Sequence, residues 1–204
     1  MSFEVFENLL QVAVLGAASL TAVVVAFRNR ERESAILALA YGTFAMGTLF
    51  YVLYLAIVGH VPQVFYVSEV SWLASYLFYL SLQIVRSEQM KIGFSYPAAG
   101  GAVATIAAVM FFRIFGPSYL MMALLALVTG ALVYLTVVRL EDRAKRRRTD
   151  WLMLLCVGLQ ILLYAVSIVT TDYSGFNLYF AIDILLTASF VTLLPLTIRE
   201  VRER

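Results

Sequence analysis

Charged residues punctuate this chain instead of spreading along it. Asp, Glu, Lys and Arg are all missing from residues 8 to 27, 34 to 59, 92 to 112, 114 to 138 and 151 to 171, and each run matches the about 20 residues that carry a helix across a bilayer. Two further segments, about 65 to 85 and 176 to 198, are as long and as apolar, but each carries one acid, Glu69 and Asp183. The pattern predicts an all-α fold, a seven-transmembrane-helix bundle with spans at about 8–27, 34–59, 65–85, 92–112, 116–138, 151–171 and 176–198. Every connection is short, so residues 1–204 are expected to make a single membrane domain.

Within the spans, polar residues recur at helical spacing, where positions three and four apart share a face. In the third span that face carries Glu69, Trp72, Tyr76, Tyr79 and Gln83, with Ser68 and Ser75 beside it. In the sixth it carries Gln160, Tyr164, Ser167 and Thr171; the second adds Tyr51 and Tyr54, and the seventh Tyr179, Asp183 and Thr187. Lipid tails cannot satisfy hydroxyls, amides or carboxylates, so these stripes are expected to turn into the bundle.

Composition agrees with the spacing. The chain is 62% hydrophobic and 14% charged, with a mean hydropathy of +0.88, where soluble domains carry about 25% charged residues. The N-terminal MSFEVFEN lacks the basic region of a cleavable signal peptide, so the first helix is expected to stay in the mature protein. Of the 15 Lys and Arg residues, all but Arg113 fall in connections after the first, third and fifth spans or in the tail after the seventh. Positive charge stays on the cytoplasmic side, which predicts an outside N-terminus and a cytoplasmic C-terminus. The basic loop at 139–148 is expected to meet anionic lipid headgroups; a cytoplasmic signalling partner is the other occupant considered. Nucleic acid is not expected, because no aromatic residue is interleaved with the basic ones.

An internal repeat is also visible. A shift of 114 positions lays residues 65 to 84 over 179 to 198, so that Glu69 meets Asp183, Tyr76 meets Phe190, and Ala74, Ser75, Leu80, Leu82 and Ile84 meet identical residues. Spans one to three and five to seven then read as parallel repeats joined by the fourth, a three-one-three arrangement.

Candidate chemistry concentrates in the outer half. Asp183 and Glu69 both lie in the first turns of their spans from the outer face, and the expectation is that they face one another across a protein-lined hollow. Arg113, at the outer end of the fourth span, would be their nearest fixed cation. Ringed by Tyr51, Tyr54, Trp72, Tyr76 and Tyr164, with Ser167 beside them, such a pair suits a proton or a small cationic molecule, through charge and ring faces. One cysteine, Cys156, and one histidine, His60, exclude a multi-His zinc site and a bis-His haem. No activated nucleophile can be built in the membrane, so neither an enzyme nor a cofactor is expected.

Seven spans, an outside N-terminus, an acid early in the third span and YFAIDILLTASF in the seventh resemble microbial rhodopsins. In that family the two acids are counterions to a retinal Schiff base on a lysine four residues after the aspartate. That position here is Thr187, and the chain's lysines, Lys91 and Lys145, lie in loops, so the resemblance implies the scaffold without covalent retinal. Small sugar carriers with a three-one-three arrangement use prolines in several spans and a Pro-Gln pair; Pro62-Gln63 falls here in an outer loop. In layout the chain is similar to the detached seven-helix sensor regions of bacterial histidine kinases, which implies a sensor or receptor-like protein of the bacterial inner membrane. A small alternating-access transporter, with Glu69 or Asp183 as its proton or cation site, and a structural or assembly subunit are the alternatives.

Overall fold

The computed structural model describes residues 3–60, 66–88, 90, 93–112, 118–141 and 148–203. Among these the chain forms seven helices and no strands: α1 (Phe3–Asn29), α2 (Arg32–Val58), α3 (Tyr66–Ser87), α4 (Tyr96–Phe112), α5 (Tyr119–Glu141), α6 (Arg148–Val169) and α7 (Leu178–Arg202). Arg113 and most of the basic loop, 142–147, lie outside the described residues.

Five helices, α1, α2, α5, α6 and α7, are long and apolar enough to cross a membrane, which is compatible with a multi-pass membrane protein. The other two fall short for different physical reasons. α3 has 22 residues but spends them on the polar stripe and Arg86, whereas α4 is uncharged but has 17 residues, about 26 Å at the usual helical rise.

Local sequence sets the helix ends. Gly59 closes α2 with φ at 81°, a left-handed conformation that glycine takes without a Cβ clash, and its N–H caps the Leu55 carbonyl at 3.0 Å. Asn177 opens α7, its side-chain oxygen accepting from the Phe180 N–H at 3.2 Å. Pro195 lies inside α7 and removes the N–H that would bond the Val191 carbonyl.

The helices α1, α2, α3, α5, α6 and α7 form a closed ring in that order, with α2 also reaching α7; α4 packs outside the ring against α5 and α6. Close approach within the ring depends on small residues. A Cβ on Gly47 would stand 2.9 Å from Ser71 Cβ and 3.0 Å from the Ser68 carbonyl, so α2 meets α3 almost backbone to backbone. The centre is aromatic: Tyr41, Phe44, Tyr76, Tyr79 and Phe190 are all buried, and the Tyr79 ring stacks on Phe190 at 5.0 Å and 15°.

Candidate functional site

The polar stripe of α3 turns inward along its whole length. Glu69, Tyr76, Tyr79, Gln83 and Arg86 are all buried and Trp72 is half-buried, as lipid on the outer face requires. Its members nevertheless serve different neighbourhoods, and two polar clusters form at opposite ends of the bundle.

At the end where α1, α3 and α7 begin, Asp183 is buried at 6% exposure and accepts from Gln11 Nε2 at 3.0 Å. The same amide nitrogen donates to Thr187 Oγ1 at 2.9 Å, and Gln11 Oε1 accepts from the Thr48 hydroxyl at 2.9 Å. Trp72 Nε1 donates to Thr48 Oγ1 at 3.4 Å. The indole N–H is a donor only; Thr48 donates in turn to Gln11 Oε1, and the amide presents its NH2 to Asp183 and Thr187. The chain of bonds from α3 through α2 and α1 to α7 therefore has one direction, with the Asp183 carboxyl as its terminus.

Glu7 lies one turn before Gln11 on α1. It is 2% exposed, and its Oε2 has no hydrogen-bond partner among the described residues. It lies within electrostatic range of Asp183 and Glu4. Glu4 Oε1 accepts from the Tyr51 hydroxyl at 2.6 Å. Aromatic side chains close this end: Phe3 packs edge-on against Phe176 and Phe180, Tyr173 packs edge-on against Tyr179, and the Phe3 N–H bonds the Ser174 carbonyl at 3.2 Å. In that loop the Ser174 N–H donates to Asp172 Oδ1 at 2.8 Å, which holds this exposed carboxyl below its ordinary range.

The structure thus joins Asp183 to α1 and its acid Glu7, where the sequence pointed to Glu69. The backbone of α7 lies beside α1, α2 and α6 and that of α3 beside α2 and α5, so α3 meets α7 through long side chains such as Tyr79 and Arg86. Glu69 is buried in the first turn of α3, beside Ser68, whose hydroxyl bonds the Gly47 carbonyl at 2.9 Å. Tyr76 lies deeper, donating to Gln160 Oε1 on α6 at 2.9 Å. Tyr164 is half-buried against the core, and Ser167 bonds its carbonyl at 2.8 Å. Tyr54 stands at the rim of α2, its ring 5.9 Å from His60.

The second cluster, at the opposite end, had no counterpart in the sequence reading. Arg86 on α3 pairs with Glu200 on α7 and lies 3.9 Å from Asp150 on α6. Arg139 on α5 bonds Asp150 Oδ1 at 3.0 Å and donates to the Arg86 carbonyl. Thr149 donates to Glu200 through its hydroxyl at 2.7 Å and its N–H at 3.2 Å, and Gln83 Nε2 reaches Asp150 at 3.3 Å. Two cations and two anions are buried together, each with an opposite partner on another helix.

Signals for both clusters were present but weak. Gln11 lies in the first span four residues after Glu7; Arg86 continues the stripe Tyr79, Gln83 by one more turn. Charges at span ends read as loop charges until packing shows which of them fold inward. Among the described residues no group of three or more His, Cys, Asp or Glu is placed to hold a metal ion. No protein-family model, curated protein or solved structure matches the chain.

Proposed function

We propose that the chain is a seven-span membrane sensor, N-terminus outside, that holds a proton between Glu7 and Asp183 in its outer half and reports the state of that pair to a cytoplasmic partner. One observation carries the reading: the buried Glu7 carboxyl has an oxygen with no hydrogen-bond partner among the described residues, beside the buried Asp183. Two buried acids within electrostatic range repel each other when both are charged, and a shared proton is the smallest ligand that relieves the pair. Gln11 donates to Asp183, so the proton belongs on Glu7. The titratable groups within electrostatic range of the pair are Glu4 on α1, Tyr76 on α3 and Tyr179 on α7, with Tyr51 and Tyr173 beside Tyr179.

The placement of α4 outside a ring of α1–α3 and α5–α7 favours the three-one-three repeat, with α4 as the joining helix. The sequence-based orientation puts Glu7 and Asp183 on the extracytoplasmic side and the second cluster on the cytoplasmic side.

The test is infrared spectroscopy of the protein in nanodiscs, titrated in pH, with thermal melts in sodium, calcium and tetramethylammonium chloride at fixed ionic strength. A protonated-carboxyl band that titrates in the wild type and is lost in Glu7→Gln supports the proton. Stabilisation by one of the salts, lost in Asp183→Asn, would move the ligand to a small cation. An unchanged band and unchanged melts in both variants would remove the pair from function. Flux of protons or cations into proteoliposomes would replace sensing with transport.

A further inference from the structure

α3 and α7 each enter both polar clusters, α3 through Trp72 at one end and Gln83 and Arg86 at the other. Asp183 and Thr187 take part in the outer cluster and Glu200 in the inner one, 17 residues apart, about 25 Å along the axis. A rigid rod would tie these ends together as a single body. The middle of α7 is not built as one.

Two successive rungs of its hydrogen-bond ladder are altered between the clusters. Pro195 has no N–H for the Val191 carbonyl. In the adjacent rung, the Tyr41 hydroxyl from α2 donates to the Phe190 carbonyl at 2.6 Å. That carbonyl is the acceptor of the Leu194 N–H in a regular helix, so Tyr41 draws on the rung next to the missing one. A proline is a recognised cause of helix bending, and so is a side chain that bonds into the ladder. The Phe190 ring that marks this point lies among Phe44, Tyr76 and Tyr79, in tilted, edge-on and stacked contacts that permit sliding without loss of a polar bond.

We propose that Tyr41 and Pro195 make a hinge in α7, through which a change of charge at the Asp183 site is passed to the Arg86–Glu200 pair at the other end. The inference rests on the reading of Glu7 and Asp183 as a sensing pair. With Glu7 already protonated, a further proton taken by Asp183 weakens its bond to Gln11 and frees the outer segment of α7 from α1. The inner segment, held by Arg86 and Thr149, then moves about the altered rungs. Tyr41 is a positioning residue here, since it touches neither cluster.

The experiment measures distances between spin labels at Arg28→Cys on α1 and Arg202→Cys on α7, in a Cys156→Ser background in nanodiscs. Both label sites are exposed, and Cys156 is buried. Asp183→Asn is expected to shift the mean distance by about 2 Å, the scale of helix shifts in switching proteins. Tyr41→Phe removes the hydroxyl from the Phe190 carbonyl and, separately, Pro195→Ala returns the missing N–H, neither touching either cluster, and each is expected to abolish that shift. A shift that survives both variants overturns the hinge and leaves the sensing pair standing. No shift in the parent background overturns it as well, and the infrared band of Glu7 measured on the same samples then decides the sensing pair independently. Pro195→Ala guards against a folding defect specific to Tyr41→Phe.

Discussion

The inner ion cluster lends itself to a quantitative test. Asp150 is fully buried, and the Arg139 side chain with which it pairs at 3.0 Å is 4% exposed. At an effective dielectric of about 20, unit charges at that distance attract by about 5.5 kcal/mol, and the cost of taking both out of water opposes this. Loss of one partner leaves an uncompensated charge inside the bundle, at a typical cost of about 3–5 kcal/mol, or two to three and a half powers of ten in the folded population at about 1.4 kcal/mol per tenfold change. Asp150→Leu and Arg139→Leu alone are each expected to fall in that range. The double variant keeps the cluster neutral, through Arg86 and Glu200, and is expected within about 1 kcal/mol of the parent, because apolar replacement of a buried pair is often neutral or better. The assay is reversible unfolding in mixed micelles with increasing dodecyl sulfate, read by circular dichroism and analysed as a double-mutant cycle. Single variants that each cost less than about 1 kcal/mol, or a double variant whose cost equals the sum, would refute the claim that these charges are held against each other out of water.

Other substitutions separate the roles of individual contacts. Gln11→Leu removes three hydrogen bonds that join α1 to α2 and α7; at about 0.6 kcal/mol per bond within a membrane, it is expected to cost about 2 kcal/mol in the same unfolding assay, and Thr187→Ala about a third of that. Gly47→Ala places a Cβ 2.9 Å from Ser71 Cβ and is expected to cost about 1–3 kcal/mol by overpacking, whereas Gly16→Ala, with nothing within 4 Å, is expected to be neutral or to raise the melting temperature slightly. Asn177→Ala removes the cap on Phe180 N–H and is expected to cost about 1 kcal/mol, seen as faster amide exchange in the first turn of α7.

The helices were legible because their cause is local. An apolar run of about 20 residues can satisfy its backbone in lipid only as a helix, and the runs at 8–27, 34–59, 116–138, 151–171 and 176–198 overlap α1, α2, α5, α6 and α7, with ends that differ by one to five residues. The α3 stripe was legible for the same reason, since 3.6-residue periodicity fixes which side chains share a face, and Tyr76, Tyr79 and Gln83 are fully buried on it. Partner choice is different in kind. Asp183 belongs with Gln11 and Glu7, 172 and 176 positions away, only because α7 closes the ring against α1. A face can be read from one helix, but which face it meets depends on the order of helices around the ring, a property of the whole packing.

The sequence by itself determined that the chain is all-helical and membrane-compatible, with the polar stripe of α3 turned inward, because a helix satisfies its own backbone and polar side chains left over seek partners inside the bundle. Tertiary structure alone decided which acids meet, placing Glu7 beside Asp183 and folding Arg86, Arg139, Asp150 and Glu200 into one buried cluster. Those pairings arise from helix ends far apart in the chain, and their energies exist only once the helices that carry them are side by side.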